Sequence, residues 1–323
     1  HMLTELRASA KVHTMTRATA FGLYDGNTVG VAQRSAPGLA DAKLGVPRQR
    51  LHILRAGQVL MACGALERPL VFAGNDKPGV MLSSAVGSYV NRYAVRPGRQ
   101  AVFAVNNDAA YGDAIALARA GAKVCIADLR ASVDAALMAQ AQAVGIEVLP
   151  ATAISAVSGG QRVRSCVLVP FDIAQGSGSG AASTREVDLV AMSGGWTPSV
   201  HLSSHRGIRP SYRDDLGGFV PGGFDTGHAG AGSMMGCQDL AGSIRSGWAA
   251  AQQAASRLGR TLAGEAPHVA PDAGLSMAFV SVGPMAAGKT SGKAFVDFQN
   301  DVTVDDIDLA HREGYRAVEH LKR

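Results

Sequence analysis

Residues 58–81 read QVLMACGALERPLVFAGNDKPGVM, and the reading of this stretch decides the fold. Val59-Leu60-Met61-Ala62 is a short apolar run of the kind that makes a fully buried strand. It ends at Cys63-Gly64-Ala65, where Gly64 permits a sharp turn or the close approach of a ligand to the main chain. A second turn cluster follows at Gly74-Asn75-Asp76-Lys77-Pro78-Gly79.

On the N-terminal side, Leu3 to Ala10 reads as a helix end. Residues 12–23 alternate weakly as strands and close at Tyr24-Asp25-Gly26-Asn27, whose Asp-Gly pair is a hairpin signal. Residues 29–33 pair back, and residues 48–54 supply another strand. On the C-terminal side, residues 83–93 read as a short helix. The clearest supersecondary unit comes next. Residues 100–105 form a strand, Asn106-Asn107-Asp108 a turn, residues 109–120 a helix ended by Gly121, and residues 123–127 a second strand with Asp128 at its end. This is a βαβ unit of the dinucleotide-binding kind. A helix over 131–144 follows, then strands over 146–149, 152–157, 162–169 and 186–192. Residues 176–180 are a Gly/Ser excursion. Residues 239–258 read as a helix. Beyond residue 276 come two strand-like pieces and a helix with a capping box, Thr303 with Asp306.

Composition narrows the class. The chain has 323 residues, of which 47% are hydrophobic, so it builds a core and comprises one to three domains. The net charge is +5, and the basic residues are scattered without a run of five, which excludes a nucleic-acid face. No apolar run is long enough to span a bilayer, and nothing resembles a signal peptide, so no membrane partner is expected. The four cysteines lie far apart without a CxxC pair. They read as buried thiols of a reducing cytoplasm. His1-Met2 looks like a cloning scar.

Three turns are candidate nucleotide sites. The βαβ unit beginning at Gln100 lacks the glycines that bring a backbone close to pyrophosphate. Asp108 at its helix N-terminus is expected to cap that helix and repel a phosphate, although Asp128 sits at the spacing of a ribose-binding acid. A degenerate pocket is the reading. The other two turns are Gly194-Gly195, followed by Trp196, and Gly230-Ala231-Gly232. They either surround a nucleotide or are tight turns against packed backbone. The helix at Asp239 is placed to aim amides at a phosphate. Gly283-Pro-Met-Ala-Ala-Gly-Lys-Thr290 matches the P-loop pattern, but a strand-like run follows where a P-loop needs a helix, so a surface loop is favoured. The acidic residues between Asp297 and Asp308 fit helix capping rather than a calcium loop. No histidine or cysteine spacing suggests zinc.

The opening stretch resembles the point in two-dinucleotide flavoproteins of the disulfide-reductase type where the chain leaves the first nucleotide domain, with Cys63 in place of the usual threonine. The longer text GALERPLVFAGNDKPGVM is similar to the alpha subunit of heterotetrameric sarcosine oxidase. So are AFGLYDGNTVG (20–30), VDLVAMSGGWTPSVHL (187–202) and KAFVDFQNDVT (293–303). The resemblance runs from about Leu3 to Arg323 and implies the central portion of such a subunit.

The implied fold is α/β, FAD/NAD(P)-binding Rossmann-like, three-layered, with an inserted second nucleotide-type domain and without a first βαβ unit. The implied segments are 1–97, the remainder of the first dinucleotide domain, and 98–192, the insert. Residues 193–266 return to the first domain, and 267–323 lead toward a folate-binding domain. The resemblance implies NAD on this chain, held near Gly64, Gly194, Gly195, Trp196, Gly230 and Gly232. FAD and FMN are expected mainly on a partner chain or interface. Ala231 and Gly232 stand where flavoproteins of this type carry an aspartate on the ribityl chain, which argues for NAD over flavin. His320, Lys322 and Arg323 are candidates to approach a flavin phosphate at an interface.

The implied complex is cytoplasmic and contains beta, gamma and delta subunits. It demethylates sarcosine oxidatively and passes the one-carbon unit to tetrahydrofolate. No catalytic residue is expected here. Two alternatives stay open: a non-catalytic scaffold, and the alpha-like subunit of an opine or hydroxyproline dehydrogenase complex.

Overall fold

The computed structural model describes residues 2–34, 47–172, 175–178, 180–269 and 292–321. The chain divides into two compact units, one of residues 1–65, 198–212 and 219–272, the other of residues 66–197, 213–218 and 273–323.

The first unit opens with helix α1 (Met2–Ala8) and an antiparallel sheet in the order β1 (Ala18–Tyr24), β2 (Thr28–Arg34), β3 (Gln49–Arg55). The expected Asp25-Gly26 hairpin forms, with Tyr24 opposite Thr28. Gly26 and Asn27 both take positive φ, which matches the right-handed twist of the strands. Leu23 and Val29 face inward and pack with Met61 of β4 (Val59–Met61).

The second unit is built on a five-stranded parallel sheet, ordered β5 (Val80–Leu82), β12 (Leu189–Ser193), β6 (Gln100–Val105), β7 (Lys123–Asp128), β8 (Glu147–Leu149). Strand alternation divides its two faces. Ala101, Phe103 and Val105 pack against helices α2 (Ser83–Tyr93) and α3 (Ala109–Arg119), while Val102 and Ala104 face the other way. That second face meets an antiparallel layer of β9 (Thr152–Ser158), β10 (Ser165–Asp172) and β11 (Ser183–Glu186). Helices, parallel sheet and antiparallel sheet make three layers.

Two expected elements differ for local reasons. The helix after β7, α4, begins at Ala135 rather than near Ala131, because Asp134 caps it and accepts from the Leu137 N–H at 2.9 Å. The single strand expected over 186–192 is two, since β11 and β12 join different sheets. Between them the Asp188 carboxylate accepts the Arg99 and Gln100 N–H groups at 2.8 and 2.9 Å, which anchors the start of β6.

Back in the first unit, β13 (His228–Gly230) pairs parallel with β4 and is followed by helix α5 (Leu240–Arg257). Ala229 and Ala231 meet Ala250 of α5, so small side chains set a close helix–strand approach. In the second unit the tail forms β14 (Phe295–Asp297), β15 (Val302–Thr303) and α6 (Val304–Arg312). The expected capping box is present, the Thr303 N–H donating to Asp306 at 2.8 Å. Asn75 ties this tail down, donating to the Phe295 carbonyl at 2.8 Å and accepting the Phe295 N–H at 2.9 Å.

Candidate nucleotide-binding site

In the first unit, β4 and β13 run in register, with Val59 beside His228 and Met61 beside Gly230. The pairing continues one step, as the Ala231 N–H donates to the Met61 carbonyl at 2.9 Å. Three residues past β4 and two past β13 stand glycines in the left-handed region, Gly64 and Gly232, each at φ +73°. Among the described residues, a Cβ at either would meet no atom within 4 Å. These glycines therefore answer a conformational demand and leave open space over the backbone, at the carboxyl ends of two parallel strands. That is where open α/β sheets receive ligands. The Gly232 N–H donates to Ser246 Oγ of α5 at 2.7 Å, and the Gly64 carbonyl accepts the Ser199 N–H at 3.0 Å. Gly230 is different. A Cβ there would press on the Phe224 ring and lie 2.7 Å from Met235 Sδ, so it is a packing glycine. Asp239 caps α5 and accepts the Gly242 N–H, so one of the amides expected to face a phosphate is taken by the helix's own carboxylate.

Gly194, Gly195 and Trp196 belong to the second unit. The Gly194 N–H donates to the Arg68 carbonyl, and the Arg68 N–H to the Gly195 carbonyl, both at 2.8 Å. A Cβ at Gly194 would lie 2.9 Å from the Pro69 carbonyl oxygen. Gly195, at φ +93°, lies under the Arg68 guanidinium, which donates to the Gly217 and Leu216 carbonyls. Both glycines are buried and are used in a backbone crossing, while Trp196 is half-buried beside them. The six candidate residues thus divide three to each unit, and the glycines with open space are Gly64 and Gly232.

The mouth of the βαβ unit is filled. Arg130, two residues past β7, donates to Asp108 Oδ1 at 2.6 Å and to Asp128 Oδ2 at 2.7 Å. Tyr111 of α3 donates its hydroxyl to Asp128 at 2.8 Å. All four side chains are buried. The expectation that Asp108 caps α3 through its side chain is therefore corrected. Its carboxylate turns to Arg130, and Asn107 accepts the Ala109 N–H instead. The ribose-type acid, Asp128, has both oxygens committed to Tyr111 and Arg130. Residues so arranged do not fit a dinucleotide. Sequence reading missed Arg130, although Asp128-Leu129-Arg130 at a strand end was its signal.

The expectation of four buried thiols holds for Cys125 and Cys166, whereas Cys63 is exposed and Cys237 half-buried. Gly283 to Thr290, Lys322 and Arg323 lie outside the described residues. Residues 292–294 carry no helix and lead into β14, which does not suit a P-loop. Among the described residues no group of three or more His, Cys, Asp or Glu is placed to hold a metal, and no helix is long and apolar enough to cross a membrane.

Comparison with known proteins agrees with this architecture. The family model for the sarcosine oxidase A3 domain matches residues 291–323. The sarcosine oxidase subunit alpha of Rhizobium meliloti (strain 1021) is 37% identical over 322 residues, covering 99% of this chain and 31% of its own length. That of Corynebacterium sp. (strain P-1) is 34% identical over 325 residues, covering 99% of this chain and 34% of its own. The chain spans about a third of the length of the curated relatives it matches. Among solved structures, L-proline dehydrogenase from P. horikoshii superposes with a TM-score of 0.60 at 16% identity, covering 95% of this chain and 54% of that one. Thioredoxin reductase from Lactococcus lactis gives 0.53 at 17%, covering 75% and 74%. The fold is the Rossmann-like α/β fold of FAD/NAD(P)-binding, disulfide-reductase-type proteins.

Proposed function

From a chain similar to sarcosine oxidase alpha subunits along 99% of its length, we propose a nucleotide-holding, subunit-contacting part of such a subunit. The complex it serves is an oxidoreductase that demethylates sarcosine and passes the one-carbon unit to tetrahydrofolate. Its FAD and FMN sit mainly on partner chains or at interfaces, and its partners are the beta, gamma and delta subunits. This chain supplies no catalytic residue.

Its own ligand is NAD, held in the first unit. The observation that carries this reading is the pair of open, left-handed glycines, Gly64 and Gly232, at the ends of adjacent parallel strands. There a bare Cα on both sides lets a flat cofactor or its pyrophosphate lie against the main chain. Residues 231–232 offer no carboxylate to ribityl hydroxyls, which supports NAD rather than a flavin. NAD, when bound, supplies a hydride-accepting nicotinamide. The protein's contribution is to position it and, through Gly64 and Gly232, to let it approach. Gly194, Gly195 and Trp196 serve the fold of the second unit.

Calorimetric titration with NAD, beside an absorbance spectrum for bound flavin, tests this. Saturable binding that falls more than about tenfold in Gly64→Val and Gly232→Val is the expected result. Thermal melts run alongside separate lost binding from lost fold. Absence of both saturable heat and flavin colour would remove the nucleotide role and leave an interaction scaffold.

A further inference from the structure

Among the described residues, the β1-β2-β3 sheet of the first unit has one covered face and one bare face. Leu23, Val29 and Val31 turn inward. On the opposite face, Leu51 and Ile53 of the edge strand β3 are 67% and 69% exposed, and they stand beside Ala32 and Gly30 of β2. Phe21, 47% exposed, lies across Gly30, where a Cβ would press on its ring. The result is an apolar strip that runs to the β3 edge, which pairs with no further strand among the described residues. Such a strip is a liability in a free chain and is the usual signature of an interaction face.

The charges around it point to what covers it. Arg17, Arg34, Arg48, Arg50 and Arg55 all lie at the ends of these strands and are exposed. The sole acid within residues 17–34 and 47–55 is Asp25, already paired with Arg206. Five arginines around an apolar strip repel a second copy of the same face and complement a carboxylate-rimmed one.

We propose that this face docks a partner subunit of the complex through an apolar patch with an acidic rim. Leu51, Ile53 and Phe21 are the buried anchors, and the arginines set orientation and encounter rate. The inference rests on the assembly reading above and adds the surface that carries it.

The test uses the chain co-expressed with the other subunits of the same oxidase, with association followed by sedimentation. Leu51→Glu with Ile53→Glu places acid against acid at two exposed sites. It is expected to weaken association more than about tenfold. Arg50→Glu with Arg55→Glu is expected to abolish the salt dependence of association. Tyr93→Glu, an exposed site in the second unit, is expected to change neither. Amide exchange over residues 49–55 is expected to slow at least severalfold on assembly. Assembly of the Leu51/Ile53 variant as tight as that of the unchanged chain, with β3 amides unprotected, would overturn the docking face and leave the assembly reading intact. Failure of the unchanged chain to join any subunit would overturn both.

Discussion

Arg130 and Asp108 form a buried ion pair, Nη1 to Oδ1 at 2.6 Å, across the turn that cradles pyrophosphate in a working dinucleotide unit. The same guanidinium holds Asp128 at 2.7 Å. One cation therefore compensates two carboxylates that the fold has removed from water. Arg130→Met keeps much of the volume and removes the compensation. A loss of about 3–5 kcal/mol in unfolding free energy at neutral pH is expected, measured by urea denaturation. A loss below about 1 kcal/mol would mean that the mouth of this βαβ unit is wetter than its burial implies.

Asp113 of α3 carries a pH dependence. Its carboxyl is pushed up to about 6, first by burial, then by Glu67, with the hydrogen bond from Ser83 opposing. In the unfolded chain an aspartate titrates near about 4. Between these values the native state holds a proton that the unfolded state has released. Stability therefore falls as pH rises from about 4 to about 6, and the cost is complete above that. Asp113→Asn keeps an acceptor for Ser83 and removes the titration. Relative to the unchanged chain, it is expected to gain about 1–2 kcal/mol across this window, after allowing for partial solvent screening. Parallel stability–pH profiles for the two proteins would refute the assignment.

His228 in β13 works in the opposite direction. It is buried, and among the described residues neither ring nitrogen has a hydrogen-bond partner. Burial lowers its pKa, with Asp225 opposing. The unfolded imidazole takes a proton near about 6.5 while the native one stays neutral, so stability in the first unit falls as pH drops below that value. His228→Leu is expected to flatten the acid side of the profile of the first unit, read from amide exchange of β4 and β13. An unchanged profile would place the titration elsewhere.

Asn75 is expected to govern the tail. Asn75→Ala leaves the Phe295 N–H and carbonyl without their partners, a cost of about 1–3 kcal/mol. Faster exchange of the Phe295 amide, with little change in β6 and β7, is the expected pattern. Equal acceleration everywhere would show that the tail and the parallel sheet open together.

Gly194→Ala separates packing from binding. The added Cβ would lie 2.9 Å from the Pro69 oxygen and 3.1 Å from the Arg68 oxygen, so backbone must move. A loss of about 1–3 kcal/mol in stability is expected, with NAD affinity unchanged at temperatures where the variant stays folded. A selective loss of affinity would return Gly194 to the binding site.

Much of this was legible in one dimension. Asp-Gly marked the β1–β2 turn, and Thr303 with Asp306 marked the start of α6, because each is set by neighbours a few residues apart. The apolar run ending at Gly64 located the strand on which the candidate site stands. The functions of the glycines were a different matter. Gly64, Gly194, Gly195, Gly230 and Gly232 look alike in sequence. What divides them is what lies above each Cα: open space at Gly64 and Gly232, carbonyl oxygens at Gly194, a guanidinium at Gly195, and an aromatic ring at Gly230. Asp108 likewise looked like a helix cap until Arg130, 22 residues away, proved to be its partner. Propensity and period act locally and are written in the chain. Steric room and charge compensation depend on residues distant in sequence, and only the folded arrangement brings those together.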